Sequence, residues 1–119
     1  MIATPRYLTK SRFKSGLECS TKLFYIKKDQ YPDNKLNDQF LVALAKGGFQ
    51  VGELAKCYFP GGTNIEELDY ETSLNKTNIL LQQENAIIYE AAFLYKTLFI
   101  RADVVVKQGK NIFLYEVKA

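Results

Sequence analysis

Between Ala86 and Ala119 the chain reads as three short apolar strands, and one acidic residue interrupts each of them: Glu90, Asp103 and Glu116. Carboxylates inside such strands are costly unless something neutralises them. This stretch therefore limits what the chain can fold into more than any other. Residues 98–106 (LFIRADVVV) and 112–118 (IFLYEVK) are rich in β-branched and aromatic side chains, and the KQGKN between them supplies a turn glycine. A two-residue turn on Gly109-Lys110, with glycine first as type II′ prefers, sets Asp103 opposite Glu116. A turn on Lys96-Thr97 sets Glu90 opposite Asp103. The three acids then make one rung on one face of the sheet, because side chains alternate with a period of two. Lys118, two residues past Glu116, leaves on that same face.

Directly opposed Cβ atoms stand about 4.5–5.5 Å apart, so neighbouring carboxylates repel unless a cation lies between them. Mg²⁺ takes oxygen ligands and keeps several waters, which suits two carboxylates and a phosphate oxygen. The register depends on even-length turns; a bulge in one strand flips it and breaks the rung. Each acid taken singly reads as a solvent-facing residue of a one-sided sheet. Against that, Val105 and Leu114 share the acidic face while Val104, Val106, Phe113, Tyr115 and Val117 fill the other. Both faces are largely apolar, which favours a shared cation.

The rest of the composition narrows the chemistry. The 119 residues suffice for one domain with a modest core. Histidine is absent, which excludes His-based triads and imidazole acid–base catalysis. Two cysteines, Cys19 and Cys57, lie too far apart in sequence for a CxxC pair and suggest neither zinc nor a disulfide framework, so a reducing, cytoplasmic setting is expected. The net charge of +3 permits a polyanionic partner without requiring one. No signal peptide and no membrane span is expected.

Upstream of the strands the pattern is helical. Residues 8–28 suggest two short helical pieces with Thr9 as N-cap and a break near Gly16 or Ser20-Thr21. This is the most basic region, and Lys10, Arg12, Lys14 and Lys22 are candidate phosphate contacts, although a solvated helix face is the commoner meaning of such a run. A second helix is expected from Asp38 to Phe59, with Phe40, Leu44, Val51, Ala55 and Tyr58 facing the core; Gly47-Gly48 interrupts the pattern and, with Gly52, either allows close packing on the sheet or breaks the helix. Glu53 falls nearly opposite that stripe, beside Lys46 and Lys56, as a solvated glutamate would. Thr63 to Tyr70 is acidic and irregular, with room for a short strand or turn. A third helical pattern covers residues 72–84 and stops at Asn85. The expectation is an α+β fold with N-terminal helices packed on an antiparallel three-stranded sheet. With the last strand ending one residue after Lys118, the sheet looks unfinished. Residues 1–119 are therefore expected to be a single domain from the N-terminal part of a longer protein, with an open sheet edge able to pair with a second copy.

Asp103 in IRADVVV and Glu116-Val117-Lys118, separated by a hairpin, are similar to the acid and E-x-K elements of the PD-(D/E)XK nuclease superfamily. LTKSRFKSGLECSTKLFYIKK, GFQVGELAKCYFPGG and the stretch from Thr77 to Phe93 extend the likeness, so nearly the whole chain resembles the N-terminal part of its RecB-like branch. The resemblance implies a partial restriction-endonuclease-like core, Mg²⁺ or Mn²⁺ as cofactor, and hydrolysis of DNA phosphodiesters. It implies Asp103 and Glu116 as metal ligands, Glu90 as a supporting acid, Lys118 as the group that orients water or stabilises the phosphate, and Glu53 as the first-motif acid after Gly52. The family core continues past E-x-K into a further helix and strand, so a downstream domain of the same protein is an expected partner. Some relatives hold an iron–sulfur cluster through a cysteine placed like Cys19; this chain cannot complete one, and Cys19 is expected as a small buried residue. The competing expectation is a nuclease-like module that binds nucleic acid or protein without cutting.

Overall fold

The computed structural model describes residues 5–66 and 68–119. Its first helix, α1 (Lys10–Glu18), begins where Thr9 caps it, the threonine hydroxyl accepting from the Arg12 N–H at 3.3 Å. The break before α2 (Ser20–Tyr25) falls at Cys19, whose backbone is extended, and not at Gly16. Cys19 is also exposed, contrary to expectation. Asp38 caps α3 (Gln39–Tyr58), accepting from the N–H groups of Phe40 and Leu41.

Two expectations for α3 fail. The helix runs through Gly47-Gly48 unbroken. Its apolar stripe is not core: Phe40, Leu44 and Tyr58 are exposed, and no residue of α3 is buried. Periodicity reports which side chains share a helix face, whereas burial needs a second surface to meet that face. Only the C-terminal half of α3, where Val51 and Ala55 are half-buried, approaches the sheet.

The sheet has four strands in the order β1 (Thr63–Asn64), β2 (Asn85–Tyr95), β3 (Leu98–Gln108) and β4 (Asn111–Tyr115). The fold is α+β, but the sheet is mixed and not a three-stranded antiparallel one, because β1 runs parallel to β2. Parallel neighbours need a crossover, and α4 (Tyr70–Leu81) provides it. Asp69 caps α4 by accepting from the Thr72 N–H at 2.8 Å, which starts the helix earlier than its apolar pattern indicates. A strand of two residues is too short for alternation to reveal, so β1 becomes visible only through its pairing.

Both hairpins have the expected register. The pairs Tyr95↔Leu98 and Gln108↔Asn111 close the turns on Lys96-Thr97 and Gly109-Lys110. Positive φ at the first turn residue fits each: 54° at Lys96 and 58° at Gly109. The β2–β3 ladder runs from Asn85↔Gln108 to Tyr89↔Val104, skips Glu90 and Asp103, and resumes at Ala91↔Ala102.

That gap reverses the faces. Ile88, Ala91, Ala102 and Val105 pack together with Ile65 in one cluster, while Tyr89, Val104 and Val106 form another with Phe59, Ile87 and Val117 against them. Ile88 and Ala91 are three residues apart, as are Ala102 and Val105, yet each pair shares a side. Regular alternation forbids this. Each strand therefore takes one irregular step, Glu90 with φ 59° and Asp103 opposite it.

The segment from Phe59 to Gly62 closes over the second cluster. The Tyr89 hydroxyl donates to the Phe59 carbonyl and accepts from the Gly62 N–H at 3.1 Å. A Cβ on Gly62 would overlap the Tyr89 ring and lie 2.8 Å from Ile87, so only glycine fits there. On the other edge, β4 is exposed along its length. Further along β3, Leu8 bridges to Leu98, exchanging backbone hydrogen bonds with Thr97 and Phe99 at 2.8 and 3.0 Å. This fixes the start of α1 beside the segment that follows β4.

Candidate functional site

The irregular step in β2 and β3 builds the candidate site. Because alternation slips there, Glu90 and Asp103 come to the side of Tyr89 and Val104, which faces the C-terminal half of α3. A cavity of about 160 Å³ lies between them, lined among others by Gly52, Glu53, Lys56, Glu66, Glu90, Asp103 and Val117. Three acids singled out from the sequence, Glu53, Glu90 and Asp103, thus line one pocket. They do so on the face expected for Val104, Val106 and Val117, not beside Val105.

Glu53 reaches the pocket because α3 presents its last two turns to the sheet. The helical-wheel expectation of a solvated glutamate paired to a lysine also holds: Lys56 Nζ lies 2.7 Å from Glu53 Oε1. Lys56 in addition stands 3.8 Å from Glu66 and over the Tyr89 ring at 5.8 Å. The Glu53 contact, more than offsetting burial, holds the Lys56 ammonium above the ordinary lysine range. Glu90 is shifted the opposite way for a carboxylate. Burial first, then the neighbouring Asp103 and Glu66 charges, push its carboxyl up, with Arg101 and Lys56 opposing.

Asp103 has a further partner. Its Oδ2 accepts from the Val117 N–H at 2.6 Å, which pins the segment after β4 to the pocket rim. Glu116 is next in the chain but does not enter. β4 ends at Tyr115, which packs on Phe59, and Val117 packs against the Tyr89–Val104 cluster. Glu116, between them, projects the other way. There Lys10 and Lys118 hold its carboxylate, Lys118 at 2.8 Å, and these two ammonium groups depress its pKa to about 2. The expected three-acid rung therefore loses Glu116. The irregular step turns over Glu90 and Asp103, while β4 contains no matching step.

Among the described residues no three Asp, Glu, His or Cys side chains stand close enough to hold a metal ion as they are. The donor set nevertheless suits a hard divalent cation, since every candidate ligand is a carboxylate and Glu90 is crowded by like charge.

The four candidate phosphate contacts are not gathered. Lys10 pairs with Glu116, Lys22 with Glu18 at 2.8 Å, and the Arg12 guanidinium donates to the Tyr7 carbonyl at 2.5 Å. Lys14 is exposed on α1. Two pocket residues escaped the sequence reading. Lys56 was visible only as the i+3 neighbour of Glu53. Glu66 gave no signal at all, because it lies in an irregular segment whose position depends on β1. No helix among the described residues is long and apolar enough to cross a membrane. The chain matches no protein-family model, no curated protein and no solved structure.

Proposed function

We propose that the protein is a divalent-metal-dependent nuclease that hydrolyses DNA phosphodiester bonds. The observation that carries this reading is the convergence of Glu53, from α3, with Glu90 and Asp103, from adjacent strands, on one pocket. Three acids from three elements, two of them at a backbone irregularity, are what oxygen-ligand chemistry needs.

Glu53, Glu90 and Asp103 would hold Mg²⁺ or Mn²⁺. When bound, the metal lowers the pKa of a water and neutralises charge on the phosphate. Glu116 is a fourth candidate ligand: it precedes Val117, whose amide is bonded to Asp103, and release of that bond with rotation of the segment after Tyr115 is the motion that would bring Glu116 inward. The same rotation would carry Lys118, whose ammonium would orient water or stabilise charge on the phosphoryl oxygens. Lys10, released from Glu116, would join Lys14 as a contact to the DNA backbone. The open β4 edge suits pairing with a second copy or with a further part of a longer chain.

Incubation with single- and double-stranded DNA in Mg²⁺ or Mn²⁺ tests the proposal. Cleavage that requires metal and is lost in Asp103→Ala and Lys118→Ala supports it; no cleavage, or cleavage indifferent to both variants, overturns it.

A second reading has one observation in its favour. Glu116 and Lys118 neutralise each other outside the pocket, as they would in a nuclease-like module that binds nucleic acid or protein without catalysis. Salt-dependent DNA binding that survives EDTA, without turnover, would select it.

A further inference from the structure

The pocket carries its own cation. Among the described residues Lys56 is the one lysine lining it, and its ammonium lies 2.7 Å from Glu53, on α3, and 3.8 Å from Glu66, in the turn after β1. Its side chain is 21 % exposed, against 52 % and 43 % for those two acids, so Lys56 is the most covered member of the trio. Its place is held at both ends. The Tyr89 hydroxyl lies 3.4 Å from the Lys56 carbonyl, and the Tyr89 ring lies beneath the ammonium at 5.8 Å. Few other contacts hold α3, which buries no residue.

We infer that Lys56 is the resident counter-ion of this pocket, a positioning residue whose ammonium keeps Glu53 and Glu66 together in the metal-free protein and is displaced when a divalent ion enters. The inference rests on the reading of the pocket as a metal site. An ammonium offers one charge and no fixed coordination geometry, so it balances clustered carboxylates without satisfying the ligand demand that a divalent ion meets. Removing it leaves like charges facing one another, which loosens the empty pocket and favours any cation that enters. A lysine with a merely structural role predicts the reverse, since disordering α3 would scatter the ligands and weaken metal binding.

Lys56→Met, Lys56→Gln and Lys56→Arg separate these cases, with Mn²⁺ binding followed by loss of the free-ion EPR signal and thermal unfolding followed in EDTA. Lys56→Gln keeps a hydrogen-bond donor to Glu53 and guards against a variant that fails to fold. The expected result is a lower Tm in EDTA for Met and Gln, Mn²⁺ binding about tenfold tighter in both, and wild-type behaviour for Arg. Mn²⁺ binding that is unchanged or weaker in Met and Gln overturns the role of Lys56 while leaving the metal site standing. No Mn²⁺ binding by the wild type or any variant overturns the metal reading, and this inference with it.

Discussion

Glu90 and Asp103 face each other where the β2–β3 ladder is skipped, and the positive φ of Glu90 marks the place. An opposed acid pair is unfavourable by charge, and a left-handed backbone at a glutamate is unfavourable by sterics. Two costs coincide there, and the result is that both carboxylates reach the same pocket. Strain of this kind gathers at functional sites.

Glu90→Gly separates stability from function. Glycine accepts φ 59° without the Cβ penalty and removes a half-buried carboxylate. The variant should be more stable than wild type by roughly 1 kcal/mol in EDTA, as thermal or urea unfolding would record. Its Mn²⁺ binding and DNA cleavage should fall. A variant that is both less stable and fully active would contradict the strained-site account.

Asp103→Asn should lower metal-dependent cleavage on the order of a hundredfold or more. Its amide oxygen still accepts from the Val117 N–H, so the segment after β4 stays in place and unfolding should be nearly unchanged. Single-turnover cleavage set beside a melting curve checks both halves.

Thr77→Val tests the α4 seam. Thr77 is fully buried on α4, and its Oγ1 accepts from the Ala92 N–H at 3.0 Å, an edge group beyond the reach of the two-residue β1. Valine keeps the shape and leaves that N–H without a partner, costing about 1–3 kcal/mol. Thr77→Ser should recover most of the loss. Chemical denaturation of the three proteins gives the comparison.

A pH dependence follows from Asp69. The Thr72 N–H and hydroxyl hold its carboxyl below the usual aspartate range. A depressed folded-state pKa means that the unfolded chain binds the proton first as pH falls. The capping contribution is therefore complete above the unfolded aspartate pKa and is lost as pH drops through the folded one. In Asp69→Asn, whose cap does not titrate, the melting temperature should fall less steeply below about pH 4 than in wild type.

Much of this is legible in the residues themselves. Gly109 and the spacing around Lys96-Thr97 define both hairpin registers, because a two-residue turn permits one pairing. Thr9 marks the start of α1 through the oxygen it offers to a free N–H group, and the helical pattern that begins at Asp38 marks α3. The three-acid rung fails for one reason: strict alternation does not hold through Glu90 and Asp103, and nothing in the residue types announces a bulge. The exposure of α3 has another. Phe40, Leu44 and Tyr58 define a face, and the sheet does not extend beneath it.

The amino-acid order by itself determined the local things: where strands turn, which helices are capped, and that acids interrupt apolar strands. Tertiary structure alone decided which acids meet. Glu53 and Glu66 reach the pocket through the placement of α3 and β1, Glu90 and Asp103 through a shared step in two strands, and Glu116 turns away toward Lys10. The physical reason is range. Turn and cap preferences act within a few residues, whereas the face a side chain occupies depends on every step of the ladder before it.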